Sequence, residues 1–344
     1  MDWKKIETEE YAFLKEESLK SRLMLVAVGG SHAYGLDVDT PEHKSDIDLR
    51  GAIFHTRDEL LLMREPSQFI DNKTDTVLYE FNKFVRLLLQ CNPNVIEILG
   101  CRKEDYYYIH PLGQMILDQR DAFLSKRCLH SFGGYAMQQL SRLENAIVRN
   151  GVSQEKQEAH ILRSMESAML SMNGRYQDFG EGIRLYLGQS KKKDMDTEIL
   201  MDLNLKGYPL RDFTGALNEL TSIQKTYHKI NHRNRKKDEV HLNKHAAHLM
   251  RLYMMLEDLV RDGEIKTYRD GTDHDLLMKI RNGGYMEEDG SYKPEFFSEL
   301  MERKKRMEVA IRTTVLPEQP DLERVNRMVR EVNEYVFDTG KKGV

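Results

Sequence analysis

The feature that most constrains this chain is an apolar run that ends abruptly at two glycines and a serine. Residues 23–28 are all apolar, and Gly29, Gly30 and Ser31 follow them directly. A short apolar run bounded by a turn signal predicts a fully buried strand. Because glycine lacks a Cβ atom, the turn lets backbone N–H groups and the Ser31 hydroxyl approach an anion. The pattern therefore predicts half of a phosphate-binding site at the end of a core strand.

A pair of acids follows after a short loop, in Asp46-Ile47-Asp48 at the head of a second predicted strand over residues 46–54. Side chains alternate along a strand, so both carboxylates leave one face while Ile47 enters the core. Arg50 shares the face of the acids, where it can bind a phosphate or brace a carboxylate. Neighbouring carboxylates repel each other unless a proton, water or a cation relieves them, and Mg²⁺ prefers carboxylate and phosphate oxygens. The acids therefore predict a divalent-metal site.

Each half alone is common, as a tight turn or as a solvated strand end. Together, Gly-Ser, a spacer and Asp-x-Asp with apolar flanks resemble the signature of the polymerase-β-like nucleotidyltransferase superfamily. The longer strings over residues 30–36 and 45–51 are similar to one bacterial and phage branch, the RNA-ligase-associated predicted nucleotidyltransferases. Further stretches similar to that branch are residues 83–84, 92–99, 244–252 and 281–283, together with Leu316-Pro317 and Pro320-Asp321.

The resemblance implies a small mixed sheet that holds two Mg²⁺ ions, with Mn²⁺ as an alternative, on Asp46, Asp48 and a third carboxylate. It implies an NTP substrate, with ATP favoured, whose phosphates lie on the turn formed by Gly29, Gly30 and Ser31. The reaction that it implies is transfer of a nucleoside monophosphate to a hydroxyl acceptor, with release of pyrophosphate. The association of the branch with RNA ligases implies that the acceptor is an RNA end and that the pathway is RNA repair.

Two acids compete for the third carboxylate position. Asp75 lies in a β-rich run over residues 74–80, and Glu80 lies at the end of that run, next to a predicted helix. Strand alternation sets the two acids on opposite faces, so only one of them can face the metals. We favour Asp75, because an acid followed by apolar residues resembles the third position of the family. The competing interpretations are a turn aspartate for Asp75 and, for Glu80, a helix N-terminal acid stabilised by the helix dipole.

Two residues directly after the turn are weaker candidates. His32 and Tyr34 follow Ser31 closely enough to contact the nucleotide. A tyrosine at this position equally suits the core behind the turn.

Three further candidates lie on a predicted helix of the rear half, where His245, His248 and Arg251 follow one another at a spacing of three residues. Such residues share a helix face. A His-x-x-His pair suits a metal, but a third protein ligand cannot be identified. One interpretation packs these residues against Glu257 or Glu264 of neighbouring helices. The family resemblance favours the other, in which His248 and Arg251 line the cleft and contact the triphosphate or the acceptor.

Hydrophobic periodicity divides the chain into a mixed α/β front and a helical rear, so the predicted fold class is α/β (α+β). We predict a catalytic nucleotidyltransferase domain over residues 1–110 and a helical domain that binds nucleotide or acceptor over residues 111–344. In the front, we predict helices over residues 5–21, 60–63 and 81–90, a further helix that Pro93 opens, and strands near 23–28, 46–54 and 74–80. The predicted helices of the rear are residues 112–124, 129–148, 155–172, 212–230, 244–261 and 294–313.

Composition excludes several classes of protein. The chain has 344 residues, a net charge of −4 and three cysteines without metal-ligand spacing, which indicates a reducing compartment. No run approaches the ~20 apolar residues of a bilayer span, and the first residues do not resemble a signal sequence, so we expect a cytoplasmic protein with no membrane partner. Basic runs at residues 191–193, 225–237 and 303–306 suit either nucleic-acid phosphates or a solvated helix face.

Two alternative functions stay open on the sequence alone. The chain could transfer the nucleotide to a protein hydroxyl, as a toxin-like or antitoxin-like partner does. It could also bind nucleotide or RNA without catalysis, although the intact Asp46 and Asp48 favour an enzyme.

Overall fold

The structure is a computed structural model whose contacts group the chain into two units. The first unit comprises Met1–Leu140, Asn243–Tyr285 and Lys293–Val344, and the second comprises Ser141–Leu242 and Met286–Tyr292. The predicted functional division between residues 110 and 111 stays a prediction. The residues that the structure describes are 6, 8–38, 45–62, 65–150, 155, 158–159, 162–163, 182–191, 197–234, 239–288 and 290–339. Within these residues, no helix combines the length and the apolar character that a membrane span requires.

A five-stranded mixed sheet forms the core of the first unit. Its strands are β1 (Leu23–Val28), β2 (Leu49–Ile53), β3 (Gln68–Asp71), β4 (Thr76–Glu80) and β5 (Tyr106–Ile109). They lie in the order β3-β4-β2-β1-β5. β1 pairs antiparallel with both β2 and β5, β2 runs parallel to β4, and β3 and β4 form an antiparallel pair. This sheet confirms the mixed α/β front.

Strands β1 and β2 form the buried centre of the sheet and lead to the predicted site. All six residues of β1 are buried, which accounts for the continuous apolar run. In β2, a Cβ atom on Gly51 would lie 2.0 Å from the carbonyl oxygen of Leu25, so glycine permits the close approach of the two strands. β2 begins only at Leu49, so Asp46 and Asp48 lie in the segment that leads into the strand. The acids are therefore at the end of the sheet where β1 turns at Gly29.

Helices make up most of the remaining described residues. Short 3₁₀ helices occur at Glu9–Lys15, Glu97–Gly100, Lys103–Asp105 and Arg120–Phe123. The α-helices are α1 (Glu17–Lys20), α2 (Gly30–Tyr34), α3 (Arg57–Leu61), α4 (Phe81–Leu89), α5 (Pro93–Ile96), α6 (Pro111–Asp118), α7 (Arg127–Asn150), α8 (Leu210–Asn234), α9 (Glu239–Asp262), α10 (Gly271–Arg281), α11 (Pro294–Arg312) and α12 (Leu322–Thr339).

The predicted N-terminal helix over residues 5–21 is wrong in part. A 3₁₀ helix and α1 occupy this region, and Glu16 between them is extended, with φ −64° and ψ 128°. Tyr11 departs from helical geometry inside the 3₁₀ segment, and its hydroxyl donates a hydrogen bond to the carbonyl oxygen of Ile47 at 2.7 Å. This contact fixes the N-terminal segment against the backbone between the two predicted metal-binding acids.

Several elements were absent from the sequence prediction. β3 and β5 have only four residues each, too few for a clear alternating pattern. The second unit contains an antiparallel pair, β6 (Ile183–Gln189) and β7 (Thr197–Leu203), between the predicted helices over residues 155–172 and 212–230, where no element was predicted. Helices α10 and α12 were also missed. The predicted helix over residues 155–172 lies largely outside the described residues.

Candidate functional site

Ser31 of the predicted phosphate turn and the predicted acid pair line one cavity of about 240 Å³ in the first unit. Pockets for drug-sized ligands measure roughly 300–1,000 Å³, so this cavity has room for part of a nucleotide. Tyr34 and Arg251 contribute to its wall, and Leu36 and Ala247 supply apolar surface. The polar side chains that line it are Ser31, Ser45, Asp46, Asp48, Lys244, His248 and Arg281.

The two glycines allow the acid strand to lie directly against the turn. The N–H of Gly29 donates a hydrogen bond to the carbonyl oxygen of Asp48 at 2.7 Å. Gly30 has φ +55°, and a Cβ atom there would lie 1.9 Å from Oδ2 of Asp48. A Cβ atom on Gly29 would lie 2.8 Å from Cγ of Arg50. Glycine is therefore required at position 30 both by the left-handed backbone and by the carboxylate that packs on it.

Asp48 is the acid whose electrostatic environment is most informative. Burial, opposed by the charge of Arg50 and reinforced by the charges of Asp75, Asp46 and Glu97, raises the pKa of Asp48 to about 6. Excess negative charge in a partly buried position favours either a proton or a cation. Carboxylate oxygens suit Mg²⁺ or Mn²⁺, so this donor set fits a divalent metal.

Asp75 lies close enough to this pair for its charge to raise the pKa of Asp48. Arg50 pairs with Val77 between the parallel strands β2 and β4, and Asp48 and Asp75 each lie two residues before one member of that pair. Nη2 of Arg50 lies 3.1 Å from Oδ2 of Asp75, and Nη1 donates to its carbonyl oxygen. The Asp75 side chain is 69% exposed and is not part of the cavity wall. Arg50 thus braces a carboxylate, one of its two predicted roles.

Asp75 also has a backbone conformation that is uncommon for a residue with a side chain. Its φ is +45°, in the turn that joins β3 to β4. Aspartate tolerates the left-handed region better than most residues, because its short polar side chain bonds locally. The turn interpretation of Asp75 and its role beside the acids are therefore compatible.

Glu80 belongs to a different cluster, with His55 and Glu59, whose ligand atoms all lie within 4.8 Å of one another. Nη2 of Arg22 already lies 2.8 Å from Glu59 and 3.5 Å from Glu80. The N–H of Asn82 donates to Nε2 of His55 at 3.1 Å, which leaves the imidazole proton on Nδ1. Arg22 already pairs with both acids, and the Nδ1 atom of His55 carries a proton and cannot bind a metal. We therefore interpret this cluster as structural.

Arg251 is buried and its charge is satisfied inside the protein. Only 1% of the residue is exposed, and Nη1 donates to Oε2 of Glu97 at 2.9 Å. Its guanidinium carbon lies 3.5 Å from the centroid of the Tyr34 ring, and the Tyr34 hydroxyl donates to the same Glu97 oxygen at 2.8 Å. A buried pair of this kind is held by its geometry and further hydrogen bonds. Tyr34 therefore packs behind the turn and connects α2 to α9.

The acid that pairs with Arg251 is therefore neither of the two that the sequence suggested. Glu257 lies 3.0 Å from Nη1 of Arg303, and Glu264 lies 3.2 Å from Nζ of Lys266. Glu97 lies in one of the stretches noted for its similarity to the family, but sequence spacing gives no sign that it meets a residue 154 positions later.

His248 is held by the second nitrogen of the same guanidinium group. Nη2 of Arg251 lies 2.9 Å from Nδ1 of His248. A guanidinium group only donates, so Nδ1 accepts and the imidazole proton lies on Nε2. Burial, with the charges of Arg251 and His245, lowers the pKa of His248 to about 3, which keeps the ring neutral at physiological pH. His245 does not line the cavity.

His32 supports the backbone that leads to the acids rather than the cavity wall. Its Nε2 lies 3.3 Å from the carbonyl oxygen of Ser45, and its Nδ1 lies 3.3 Å from Oδ2 of Asp37. The side chain is buried and does not line the cavity. Its contact with Ser45 fixes the residue that directly precedes Asp46.

Two cations of the cavity wall were not assigned a role from the sequence. Lys244 of α9 is exposed, whereas Arg281 at the end of α10 is half-buried and its Nη2 lies 3.4 Å from Oγ of Ser45. Burial lowers the pKa of Arg281, against the opposing effect of the charge of Asp37. Neither cation forms an ion pair with any residue that the structure describes. Lys244 lies four residues before His248, a spacing that alone places both on one helix face.

The basic runs offer less than these two cations. In the run over residues 303–306, Arg303 pairs with Glu257 and Asp273, Lys304 with Glu308, and Arg306 with Glu302. Most of the side chains of the runs over residues 191–193 and 225–237 lie outside what the structure describes.

The sheet and its end define the class of protein. An apolar strand that turns at Gly-Gly-Ser, with Asp-x-Asp leading into the adjacent antiparallel strand and a third acid beside it, is the arrangement of a polymerase-β-like nucleotidyltransferase. The chain belongs to the RNA repair pathway DNA polymerase beta family, RlaP, whose model matches residues 4–176. No curated protein and no solved structure gives a significant match to the chain.

Membership of this family points to a nucleotidyltransferase in RNA repair. The matched range contains Ser31, Asp46, Asp48 and Asp75, but it ends before the cavity residues of α9 and α10. The match to the family model therefore lends no support to roles for the latter.

Proposed function

We propose that this protein is a divalent-metal-dependent nucleotidyltransferase that transfers a nucleoside monophosphate from an NTP, with ATP favoured, to the hydroxyl of an RNA end. Pyrophosphate is the leaving group. The observation that carries the proposal is one cavity that combines the Ser31 turn, the two acids and two cations without ion pairs to described residues. Acids alone suit a metal and cations alone suit a phosphate, whereas their combination suits a metal-bound polyphosphate.

The chain's own residues divide into an acidic and a cationic group. Asp46 and Asp48, with Asp75 as the third carboxylate, would hold the metal, either two Mg²⁺ ions or Mn²⁺. Bound there, the metal supplies charge neutralisation and Lewis acidity at the α-phosphate. The 69% exposure of Asp75 leaves its carboxylate accessible to an acceptor hydroxyl, which it orients and whose proton it takes. Arg50 fixes the position of that carboxylate.

The phosphates of the NTP lie at the turn and at the cationic group. The Gly29-Gly30-Ser31 turn binds the β- and γ-phosphates through its hydroxyl and backbone N–H groups. Lys244 and Arg281 neutralise the charge that accumulates on the leaving pyrophosphate. Arg251, the predicted phosphate contact, instead keeps Tyr34 and His248 in place, because Glu97 already neutralises it.

Incubation of the purified protein with Mg²⁺, α-labelled NTPs and either total RNA or lysate protein tests the proposal. We expect label in the RNA fraction, removed by ribonuclease and strongest with ATP. The double variant Asp46→Asn, Asp48→Asn should lose the label. Asp58→Asn, which removes an exposed acid of α3, is the matched control and should retain it.

Other outcomes separate the alternatives. Label that stays in the protein fraction after ribonuclease treatment would identify a protein hydroxyl as the acceptor. Binding of NTP without label in either fraction would identify a non-catalytic module. Label that persists in the double variant would refute the assignment of the acids.

A further inference from the structure

We infer that His248 binds the nucleoside half of the NTP rather than its phosphates. It does so through a neutral Nε2–H donor that Arg251 fixes toward the cavity. The donor bonds to an oxygen or ring nitrogen of the sugar or base. The inference rests on the proposed function, since it takes an NTP as the ligand. Arg251 is a positioning residue in this account and does not contact the substrate.

The contact with Arg251 determines which nitrogen of His248 carries the proton. Nη2 of Arg251 lies 2.9 Å from Nδ1 of His248, and only Nδ1 can accept in this bond. The arginine is itself held by Glu97 at 2.9 Å and by the Tyr34 ring at 3.5 Å, so it has no alternative position. One tautomer is therefore imposed on the ring, with its proton on Nε2.

The Nε2 atom is the part of the ring that is available to a ligand. The side chain lines the cavity, and Nε2 has no hydrogen-bond partner among the residues that the structure describes. It is also not one of the described buried polar atoms that lack a partner. Because Nε2 is neither bonded nor sealed in the protein and the His248 side chain lines the cavity, we place its N–H donor at the cavity.

The groups around the ring favour the neutral form of His248. Burial lowers its pKa most, and Arg251 and His245 on its own helix lower it further. From α7, the Tyr135 ring meets it edge to face at 5.9 Å between centroids. Glu97 is bonded to Arg251 and so does not offer a separate counter-charge. His248 therefore presents the same donor at pH 5 and at pH 9.

A neutral donor in this wall suits the nucleoside better than the polyphosphate. The charge of the phosphates is met by Lys244 and Arg281, which line the same cavity. Leu36 and Ala247 add apolar surface to the wall, which suits a sugar or a base. The same guanidinium group stacks on Tyr34, the last residue of α2, so the donor and the phosphate turn are held in one rigid arrangement.

Two substitutions separate the cavity donor from the contact with Arg251. His248→Asn retains an acceptor near the position of Nδ1 but does not reach the position of Nε2, whereas His248→Gln reaches further and keeps an N–H donor there. Binding of a non-hydrolysable ATP analogue and of inorganic tripolyphosphate, each with Mg²⁺, is measured by calorimetry. We expect His248→Asn to weaken analogue binding about 3- to 10-fold, as one neutral hydrogen bond does. Tripolyphosphate binding should stay unchanged, and His248→Gln should recover analogue binding.

Equal weakening of both ligands by His248→Asn would overturn the inference, because it would place His248 on the phosphates. Unchanged binding of both would also overturn it, because it would remove His248 from the ligand. In both cases the proposed function stands, since the wild-type protein still binds the analogue. Failure of the wild-type protein to bind the analogue would instead overturn the proposed function, and the inference with it.

Nitrogen-15 NMR of the ligand-free protein tests the role of Arg251 separately. We expect the His248 ring to show the neutral tautomer protonated at Nε2 throughout pH 5–9. Arg251→Lys keeps a charge but loses the two-sided guanidinium contact, so the tautomer should become mixed. Tyr34→Phe removes only a hydroxyl that bonds to Glu97, so it is the matched control and should keep the tautomer. A ring that titrates in this range, or a proton on Nδ1, would overturn the inference.

Discussion

Replacing Asp48 with asparagine should stabilise the metal-free protein while it removes the response to metal. Burial and the neighbouring Asp75, Asp46 and Glu97 raise the pKa of Asp48 from 3.8 to about 6. Its ionised form is thus disfavoured in the folded chain relative to the unfolded chain. Asparagine resembles the protonated acid in shape and carries no charge, so it avoids this cost.

The size of the effect follows from the pKa. One pKa unit corresponds to about 1.4 kcal/mol, so the rise corresponds to at most about 3 kcal/mol. Asp48 retains partial exposure, and solvent screening reduces the expected gain to about 1–2 kcal/mol. An acid with a raised folded-state pKa contributes stability that is full below its unfolded pKa and is lost as pH rises through the folded value. The advantage of Asp48→Asn should therefore be largest above pH 7, shrink near pH 6 and vanish below about pH 4.

Thermal unfolding of both proteins from pH 4 to pH 8, with and without Mg²⁺, measures this effect. Without metal at pH 7.5, we expect Asp48→Asn to unfold about 2–6 °C above the wild-type protein. Mg²⁺ should raise the wild-type melting temperature and narrow the gap. Asp58→Asn should match the wild-type protein at every pH. A gap that is independent of pH, or a destabilised Asp48→Asn protein at pH 7.5, would refute the electrostatic reasoning.

Three further predictions concern the turn, the third acid and the cations. Gly30→Ala places a Cβ atom 1.9 Å from Oδ2 of Asp48 at a backbone φ of +55°. It should abolish nucleotidyl transfer and lower the free energy of urea unfolding by about 1–3 kcal/mol. In the control Gly134→Ala, the new Cβ atom has no neighbour within 4 Å, so transfer and stability should both be kept. Asp75→Asn should lower kcat at least ~100-fold with little change in melting temperature. Glu80→Gln removes a charge next to Arg22, so it should lower the melting temperature and leave kcat unchanged. The reverse pattern would make Glu80 the third acid. We expect a higher KM for NTP and about 10-fold weaker inhibition by pyrophosphate from each of the variants Lys244→Gln and Arg281→Gln, because each loses a charge-assisted bond to phosphate. Lys279→Gln is the control outside the cavity wall. An equal effect of this control would show that only the overall charge matters.

The local parts of the site were predictable from the sequence because each depends on a short stretch of chain. The run that forms β1 is apolar throughout because the strand is buried on both faces. The glycine at position 30 is required by a positive φ and by the contact with Asp48. Strand alternation limited the third carboxylate to one of Asp75 and Glu80, and the preference for Asp75 came from the family resemblance of the residues around it.

The family resemblance predicted that His248 and Arg251 line the cleft, and both line the cavity. The partners of these residues were not predictable, because they lie far away in the chain. The sequence pattern puts Arg251 and His248 on one helix face, but it cannot show that Glu97 neutralises the arginine. For the same reason, the resemblance of residues 281–283 to the family could not show that Arg281 contacts Ser45, because the two residues are 236 positions apart. Short strands such as β5 escaped notice because four residues carry little periodicity.

The fate of two labels tests the central claim most directly. In one reaction the NTP carries its label on the α-phosphate, and in the other on the γ-phosphate, with Mg²⁺ and RNA present in both. Nucleotidyl transfer at Asp46 and Asp48 predicts that the α-label enters RNA and the γ-label leaves as pyrophosphate, and that the double variant Asp46→Asn, Asp48→Asn shows neither. Transfer of the γ-label to the acceptor, or release of pyrophosphate by the double variant at the wild-type rate, would contradict the account.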